Sequence, residues 1–141
     1  MYSPDDEAVE PLTTETCWEL LSTAQVGRLA LAAGGDIDIF PINFVAHEGA
    51  LYFRTAPGTK LVELTANPRV ALEIDEWDDD RALSVVAKGI AERLEKTAEI
   101  DAAEQLPLKP WIPTLKYRWV KITPETVSGL RFRRAAEPER F

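Results

Sequence analysis

The stretch 51–64, LYFRTAPGTKLVEL, carries the side chains of this sequence that are best suited to bind a ligand. Its pattern predicts a strand over Leu51–Arg54, a tight turn over Thr55–Gly58, and then a helix. The apolar residues expected to face the core from this helix are Leu61, Val62 and Leu64. A helix N-terminus presents unpaired backbone N–H groups and the positive end of the helix dipole, so this turn is suited to hold an anion.

Two cations flank the turn. Arg54 ends the strand and Lys60 lies in the first turn of the helix, so both are placed to meet a phosphate. The hydroxyls of Thr55 and Thr59 add hydrogen-bond donors, and Gly58 allows the backbone to approach a ligand closely. The residues alone leave a second interpretation open, in which Arg54 and Lys60 are solvated charges at an ordinary strand-to-helix turn.

The composition is that of one globular domain with an acidic surface. The chain has 141 residues, of which 45% are hydrophobic and 28% charged, enough to bury a single core. A formal net charge of -8 would repel DNA or RNA over most of the surface, so we expect no nucleic-acid partner. No run of about 18 apolar residues is present and the first residues are acidic, so neither a membrane span nor an export signal is expected. The single cysteine, Cys17, fits a cytoplasmic location.

Turn residues and hydrophobic periodicity predict a mainly β chain with three short helices. Alternating runs at Gln25–Ala33 and Asp36–Phe44 are joined by Gly34 and Gly35, a dipeptide suited to a hairpin turn. Further strands are predicted at 51–54, 69–74, 82–94, 117–122 and 126–132, and the first and last helices at 13–24 and 97–105. The strands do not alternate regularly with helices, so the pattern favours an antiparallel sheet or barrel with helices packed outside.

We expect one folded domain over residues 13–132, preceded by an extended acidic arm over 1–12 and followed by a polar tail over 133–141. Residues 76–80 read as a charged loop that contains Trp77. Gly89 is expected to mark a bulge or bend, which a long strand in a barrel requires.

A proline lies within the second strand of the Gly34–Gly35 hairpin. Because Pro41 has no N–H, it is expected to interrupt the ladder and to leave neighbouring backbone groups free. Two interpretations remain open. The segment is a sheet edge and nothing more, or it is where a planar ligand bonds to the main chain near Ile42 and Asn43.

Six segments occur in an order that carries further information. They are GRLAL at 27–31, FPINF at 40–44, LYFRTAPGTKL at 51–61, NPRVALEID at 67–75, LSVVAKG at 83–89 and YRWVKITPETVSGLRF at 117–132. Together they resemble the pyridoxamine 5'-phosphate oxidase-like, FMN-binding split-barrel family over nearly the whole chain. The resemblance implies a six-stranded antiparallel split barrel that forms a homodimer, with one flavin in each of two clefts at the subunit interface.

The resemblance also implies which residues hold the cofactor. The implied contacts are Pro41, Ile42 and Asn43 against the flavin ring, Arg54, Thr55 and Lys60 with the adjacent Leu61 around the phosphate and ribityl chain, Ser84 and Val85 on a further strand, and Trp111. Trp111 and Arg118 match a region that the partner subunit contributes to the site. No side chain stands out as an essential acid or base, so the catalytic residues are unknown, and no metal site is expected.

The chain departs from the family pattern in three respects. Leu83 occupies a position before the Ser-Val pair that is aromatic in many relatives, residues 77–81 are unusually acidic, and the chain is shorter than the vitamin B6 oxidases. A pyridoxal phosphate substrate would need its own basic residues, and the candidates Arg131, Arg133 and Arg134 read more simply as a solvated cluster. We therefore expect no oxidation of pyridoxamine phosphate.

Other reactive side chains have simpler interpretations. Cys17 lies on the apolar face of the first predicted helix and is expected to be a buried apolar residue. His47 sits in a turn, where it is either a proton donor or inert. Among the tryptophans only Trp111 is expected to stack on a flavin, because its proline-rich segment suits a projecting loop. Trp18, Trp77 and Trp119 are expected in the core or an interface.

Three functions compete on this sequence. The first is an FMN-dependent oxidoreductase of a small molecule, in which the cofactor carries the redox chemistry. The second keeps the fold but uses the deazaflavin F420, whose acidic tail would need a broader basic groove than the sequence offers. The third is a non-enzymatic flavin-binding or sensing dimer, or a scaffold that holds no cofactor.

Overall fold

A computed structural model describes residues 9–108 and 118–133 of the chain. The strands are β1 (Val9–Pro11), β2 (Val26–Ala33), β3 (Asp36–Asn43), β4 (Val45–His47), β5 (Ala50–Thr55), β6 (Arg69–Trp77), β7 (Arg81–Arg93) and β8 (Arg118–Arg133). The helices are α1 (Thr14–Thr23), α2 (Thr59–Ala66) and α3 (Thr97–Glu104). Helices α1 and α3 begin and end within one residue of their predicted bounds, 13–24 and 97–105.

All the strands belong to one antiparallel sheet. Its order is β3-β2-β6-β7-β8-β5-β4, and β1 pairs with the far end of β8. Residues of β3 and β5 come within 8 Å at Cα although the two strands are not neighbours in this order, because the sheet curls on itself. Six strands of six or more residues form the curled sheet and two strands of three residues extend it. The predicted split barrel is therefore confirmed as a fold.

Alternating side chains of the strands fill the inside of the curled sheet. Leu29, Phe53, Leu72, Val85 and Ile122 come from five different strands and are fully buried. Helix α1 adds Cys17 and Leu21 to the same core. Cys17 is thus a core residue, as predicted, and burial raises the pKa of its thiol, which keeps it protonated.

The predicted turn and bulge are present. Gly34 and Gly35 have φ angles of 59° and 86°, the left-handed conformations that a tight hairpin turn needs. The register of β7 against β8 shifts between Lys88 and Gly89. A Cβ atom at Gly89 would collide with the carbonyl of Thr123, so the two backbones come too close there for any other residue.

Three sequence predictions about these elements were wrong. Residues 118–122 and 126–132 of the two predicted strands form one continuous strand, β8, because Pro124 lies opposite Gly89, where the pairing is already irregular and an N–H can be spared. Glu76 and Trp77 belong to β6 rather than to a loop, since both pair with β7. Val62 does not face the core but is 67% exposed, and only Leu61 and Leu64 of α2 are buried.

Residues just outside both predicted ends of the domain pair with strands of the sheet. Val9–Pro11 at the end of the predicted arm pairs with residues 130–132 of β8, and Arg133 of the predicted tail pairs with Arg81. Residues 1–8, 109–117 and 134–141 lie outside the described part, and so do the predictions for Trp111 and Arg134. No helix in the described ranges is long and apolar enough to cross a membrane.

The pH dependence of stability should report one contact of α2. Burial, and then the carboxylates of Asp38 and Asp36 on β3, raise the pKa of Glu63 above its ordinary value. A raised folded-state pKa favours folding below the ordinary carboxyl pKa of about 4.3, and this contribution is lost as the pH rises through the folded pKa. Glu63→Gln should therefore melt at a higher temperature than the wild type at pH 7, with the gap closing toward pH 4.

Melting curves of both proteins between pH 4 and pH 8 check this expectation. Glu99→Gln, which removes an exposed carboxylate on α3, is the matched control and should show no such gap. A wild-type chain that is at least as stable as Glu63→Gln at pH 7 would contradict the assignment.

Candidate functional site

The backbone of β3 forms one edge of the described sheet. The N–H of Phe44 donates to the carbonyl of Gln25 at 3.2 Å, which fixes the alternation along the pair β2–β3. Backbone groups of Phe40 and Ile42 therefore point toward β2, whereas those of Pro41 and Asn43 point away from it. Pro41 does not interrupt the ladder, contrary to the sequence prediction, because its missing N–H would have faced the edge.

Strand alternation divides the predicted contacts between two faces. Ile42 and Val85 are buried, so their side chains belong to the core and only their main chain is available to a ligand. Pro41 is exposed, and Asn43 and Ser84 are half-buried on the outer face of the sheet. Asn43 Nδ2 donates to the carbonyl of Gln25 at 3.4 Å.

Cross-strand register shows how the outer-face residues are arranged. Pro41 lies opposite Arg28 of β2, and Arg28 lies opposite Glu73 of β6. Two residues further along β6, Asp75 lies opposite Ser84 of β7. The predicted contacts on β3 and β7 are therefore separated by β2 and β6, which place charged side chains between them.

Arg54 extends from the outer face of β5. Its guanidinium carbon lies 5.1 Å from the ring centroid of Trp119, the residue directly opposite on β8. One Nη atom donates to the carbonyl of Leu108 at 3.2 Å. These contacts fix Arg54 in a half-buried position next to Thr55, whose hydroxyl donates to the carbonyl of Ala56 at 3.3 Å.

Helix α2 begins without a side-chain cap. Its N-cap residue is Gly58, and no side chain accepts a hydrogen bond from the first N–H groups of the helix. Gly58 has a φ of 164°, extended backbone that other residues also adopt, and a Cβ atom added there would meet nothing within 4 Å. The conformation does not require glycine, and the space in front of the helix is open among the described residues.

Lys60 lies in the first turn of α2 and turns toward β3. Its Nζ atom is 4.9 Å from the ring centroid of Phe40. Burial lowers the pKa of Lys60, because its ammonium group is partly shielded from water. The next residue, Leu61, packs in the core, which leaves only its main chain for a ligand.

The end of β5, which carries Arg54, and the first turn of α2, which carries Lys60, are joined by the short turn 56–58. The two cationic groups are held by different neighbours, Lys60 by Phe40 of β3 and Arg54 by Trp119 of β8. A basic, hydrogen-bonding end beside an open sheet edge suits a ligand that has an anionic group and a planar part.

A model of the family described as pyridoxamine 5'-phosphate oxidase matches residues 13–131 of the chain. The chain belongs to this family. Its structure is similar to that of a provisionally named pyridoxamine 5'-phosphate oxidase from Corynebacterium glutamicum, with a TM-score of 0.82 and 42% identity over 89% of this chain and 98% of that one.

Two further members of the fold have flavin in their names. An FAD binding protein from Mycobacterium smegmatis has a TM-score of 0.79 and 37% identity, with coverage of 89% of this chain and 100% of that one. An FAD-binding protein from Mesorhizobium loti has a TM-score of 0.77 and 27% identity, with coverage of 87% and 97%.

Other candidate side chains of this pyridoxamine 5'-phosphate oxidase family member lie apart from that end. Trp119 is buried, as expected, whereas Trp77 is 67% exposed. His47 Nε2 lies 3.8 Å from a carboxylate oxygen of Glu48, and its ring is 6.4 Å from that of Tyr52. No group of three or more His, Cys, Asp or Glu side chains in the described ranges is placed to hold a metal ion.

Sequence reasoning missed the charged residues on the outer face of the sheet. Arg28 pairs with Glu73 and Asp75 in the space between Pro41 and Ser84. The signal available in the sequence was strand alternation, since Glu73 and Asp75 alternate with the buried Leu72 and Ile74.

Proposed function

We propose that this chain binds a flavin, FMN, and uses it as an oxidoreductase of a small molecule. The observation that carries the proposal is the uncapped start of α2, with Lys60 in its first turn and Arg54 on the neighbouring strand. Backbone N–H groups and two cations are the donor set that a terminal phosphate prefers. The FAD-binding names of two relatives support a flavin as the ligand.

The residues present fit each part of such a cofactor. The phosphate would be held by Lys60 and Arg54, with the hydroxyl of Thr55 and the first N–H groups of α2 as additional donors. The ring would lie against the edge of β3, where main-chain groups at Pro41 and Asn43 point away from β2. The main chain at Ile42, Leu61 and Val85 and the hydroxyl of Ser84 would complete the contacts.

The chain's own residues would bind and orient the cofactor and balance the negative charge of its phosphate. When bound, the flavin supplies the transfer of a hydride or of electrons, which no side chain here provides. Lys60 and Arg54 neutralise the phosphate, and the edge of β3 aligns the ring.

We further propose that two chains associate and close the cofactor cleft between them. The outer face of the sheet carries Ile37 at 76%, Ile39 at 65% and Leu130 at 40% exposure, with the small side chains of Ala30 and Ala71 between the edges. These exposed apolar side chains, on a face that also carries Arg28, Glu73 and Asp75, are suited to packing against a second copy.

Absorbance and mass spectrometry of the purified protein test the proposed function. Bands of oxidised flavin and release of FMN on denaturation are the expected result, and bleaching by a nicotinamide cofactor would indicate an enzyme rather than a store. A near-ultraviolet band would indicate F420 instead of a flavin. Release of FAD on denaturation would mean that the cofactor is FAD rather than FMN. A colourless protein that ignores added FMN and FAD would reject a flavin function.

Dilution tests the dimer. If the cleft needs two chains, FMN should be released as the protein is diluted below the dissociation constant of the dimer. Light scattering and flavin fluorescence followed on the same dilution series should change together. A monomer that still binds FMN tightly at nanomolar concentration would contradict the interface.

Gly58→Ser should affect stability and ligand binding in opposite directions. Serine is a better N-cap than glycine, so α2 should gain a few tenths of a kcal/mol. The same hydroxyl would occupy the open space before the helix and compete for its N–H groups, so FMN affinity should fall. Thermal melting and FMN titration of one preparation measure both effects; a variant with higher stability and unchanged affinity would place the phosphate elsewhere.

A further inference from the structure

A cavity of about 160 Å³ lies between α3 and the outer face of β5 and β8. Its helical wall consists of Glu99, Ala102 and Ala103, with Leu106 just beyond the helix, and these residues recur at the spacing of one helix face. The two alanines at the centre of this face are too short to fill the space between the helix and the strands. An apolar cavity of roughly 150 Å³ can hold benzene, so this one has room for a single aromatic ring.

The floor of the cavity is apolar. Leu94 and Ala103 are 5% and 2% exposed, and together with Trp119 they form a small core under α3. Tyr52 packs against the same core, and its ring lies 6.4 Å from that of His47 at an interplanar angle of 59°. An apolar floor with two rings on one wall suits an aromatic ligand.

Two hydrogen-bond donors line the cavity from the strands. Lys121 of β8 lies directly opposite Tyr52 of β5, and both residues are half-buried. Within residues 9–108 and 118–133, neither the ammonium group of Lys121 nor the hydroxyl of Tyr52 has a hydrogen bond or an ion pair. Glu92 faces Lys121 across the β7–β8 pair but is exposed and forms no ion pair with it. The cavity therefore presents a positive charge and a hydroxyl donor that are available to a ligand.

The acidic residue of the cavity does not cancel this positive charge. Glu99 lies in the first turn of α3, where the helix dipole favours a carboxylate. Glu99 is also exposed, so water screens its charge more strongly than that of the half-buried Lys121. An anionic ligand is thus favoured over a cationic one.

We propose that this cavity binds a small aromatic carboxylate, with the carboxylate at Lys121 and Tyr52 and the ring over Leu94 and Ala103. The carboxylate oxygens supply the acceptors that the ammonium and hydroxyl groups lack. The ring fills the space in front of the two alanines, where it gains close contacts. The site shares no residue with the proposed flavin contacts, so it does not depend on the proposed function.

A simple packing gap between α3 and the sheet makes a different prediction. Such a gap would take up a neutral ring as well as a charged one, and it would not respond to the charge at position 121. A site that recognises the carboxylate prefers the anion and loses this preference when the charge of Lys121 is removed.

Fluorine NMR titration of the full chain distinguishes the two cases. The ligands are 4-fluorobenzoate and, as a neutral molecule with the same ring, 4-fluorobenzyl alcohol. The wild type should bind the carboxylate at least about tenfold more tightly than the alcohol. Lys121→Met should weaken carboxylate binding at least about tenfold and leave alcohol binding within about twofold. Lys88→Met removes an exposed ammonium group from β7 and is the matched control, which should leave both affinities unchanged.

A second variant fills the cavity without a change in charge. Ala102 is exposed on α3 and lines the cavity, so Ala102→Leu is compatible with the helix and should abolish the binding of both ligands. Melting curves of the same samples show which variants are folded.

Each result supports or overturns the site. Carboxylate binding that is lost in Lys121→Met and in Ala102→Leu, and kept in Lys88→Met, supports it. Equal affinity of the wild type for the carboxylate and the alcohol overturns it, and so does a wild type that binds no 4-fluorobenzoate at millimolar concentration. If Lys121→Met does not fold, carboxylate binding that survives in Ala102→Leu still overturns it.

Discussion

Replacing both Arg54 and Lys60 by alanine should lower the affinity of the chain for FMN by more than a hundredfold. Each charge-assisted hydrogen bond to a phosphate contributes roughly 1.5 to 3 kcal/mol. Two such contacts amount to about 3 to 6 kcal/mol, which corresponds to roughly two to four orders of magnitude in the dissociation constant. Titration of FMN fluorescence against each protein measures the change.

Single variants and a charge-matched control make this result specific. Arg93→Ala with Lys96→Ala also removes two cations, both exposed on the surface, and should leave the affinity within about twofold because solvated charges contribute little. Arg54→Ala also loses the contacts with Trp119 and Leu108, so its melting temperature must be measured too. An unchanged affinity in the double variant Arg54→Ala with Lys60→Ala would remove the phosphate site.

Phe53→Ala should destabilise the fold by about 3 to 5 kcal/mol. Phe53 is the largest fully buried side chain in the described ranges, and its strand lies between β4 and β8 next to the proposed site. The change removes buried apolar surface and leaves a cavity that close-packed strands cannot fill. Urea denaturation followed by tryptophan fluorescence gives the free energy of unfolding.

Val62→Ala is the matched control for this core position. Val62 is 67% exposed on α2, so the loss of its methyl groups should change the free energy of unfolding by no more than about 0.5 kcal/mol. Similar losses at Phe53 and Val62 would mean that the interior of the barrel is not packed as described.

Elements with local signals could be predicted from the sequence. Gly34 and Gly35 specify a hairpin turn through their own backbone preferences, and Thr13 caps α1 by accepting a hydrogen bond from the N–H of Thr16 at 3.1 Å. Each signal lies within a few residues of the feature that it determines. The hairpin and the start of the helix are therefore found where the sequence placed them.

Features that depend on neighbouring strands could not be read in this way. Pro124 looks like the end of a strand until its partner is known, because Gly89 across the pair has already shifted the register. Pro41 likewise appears to break a ladder until the direction of its missing N–H is fixed by the bond from Phe44 to Gln25. In both cases the proline lacks an N–H donor, as the rule states, but the strand needs no donor at that position.

The same limit applies to the candidate site. Arg28 is 45 and 47 residues from Glu73 and Asp75 in the chain, so only the register of β2 against β6 brings them together. Arg54 and Lys60, six residues apart around one turn, were recognisable from local sequence. The directions of their side chains, toward Trp119 and Phe40, came from the fold.

The edge position of β3 also bears on how the protein avoids aggregation. A strand with a partner on one side only among residues 9–108 and 118–133, and with two exposed isoleucines, Ile37 and Ile39, is a template on which another chain can add. The edge is interrupted as a template because Pro41 offers no donor there, and Asp36 and Asp38 bring negative charge close to it. Pro41 thus acts as a gatekeeper that protects the folded chain from growing into fibrils.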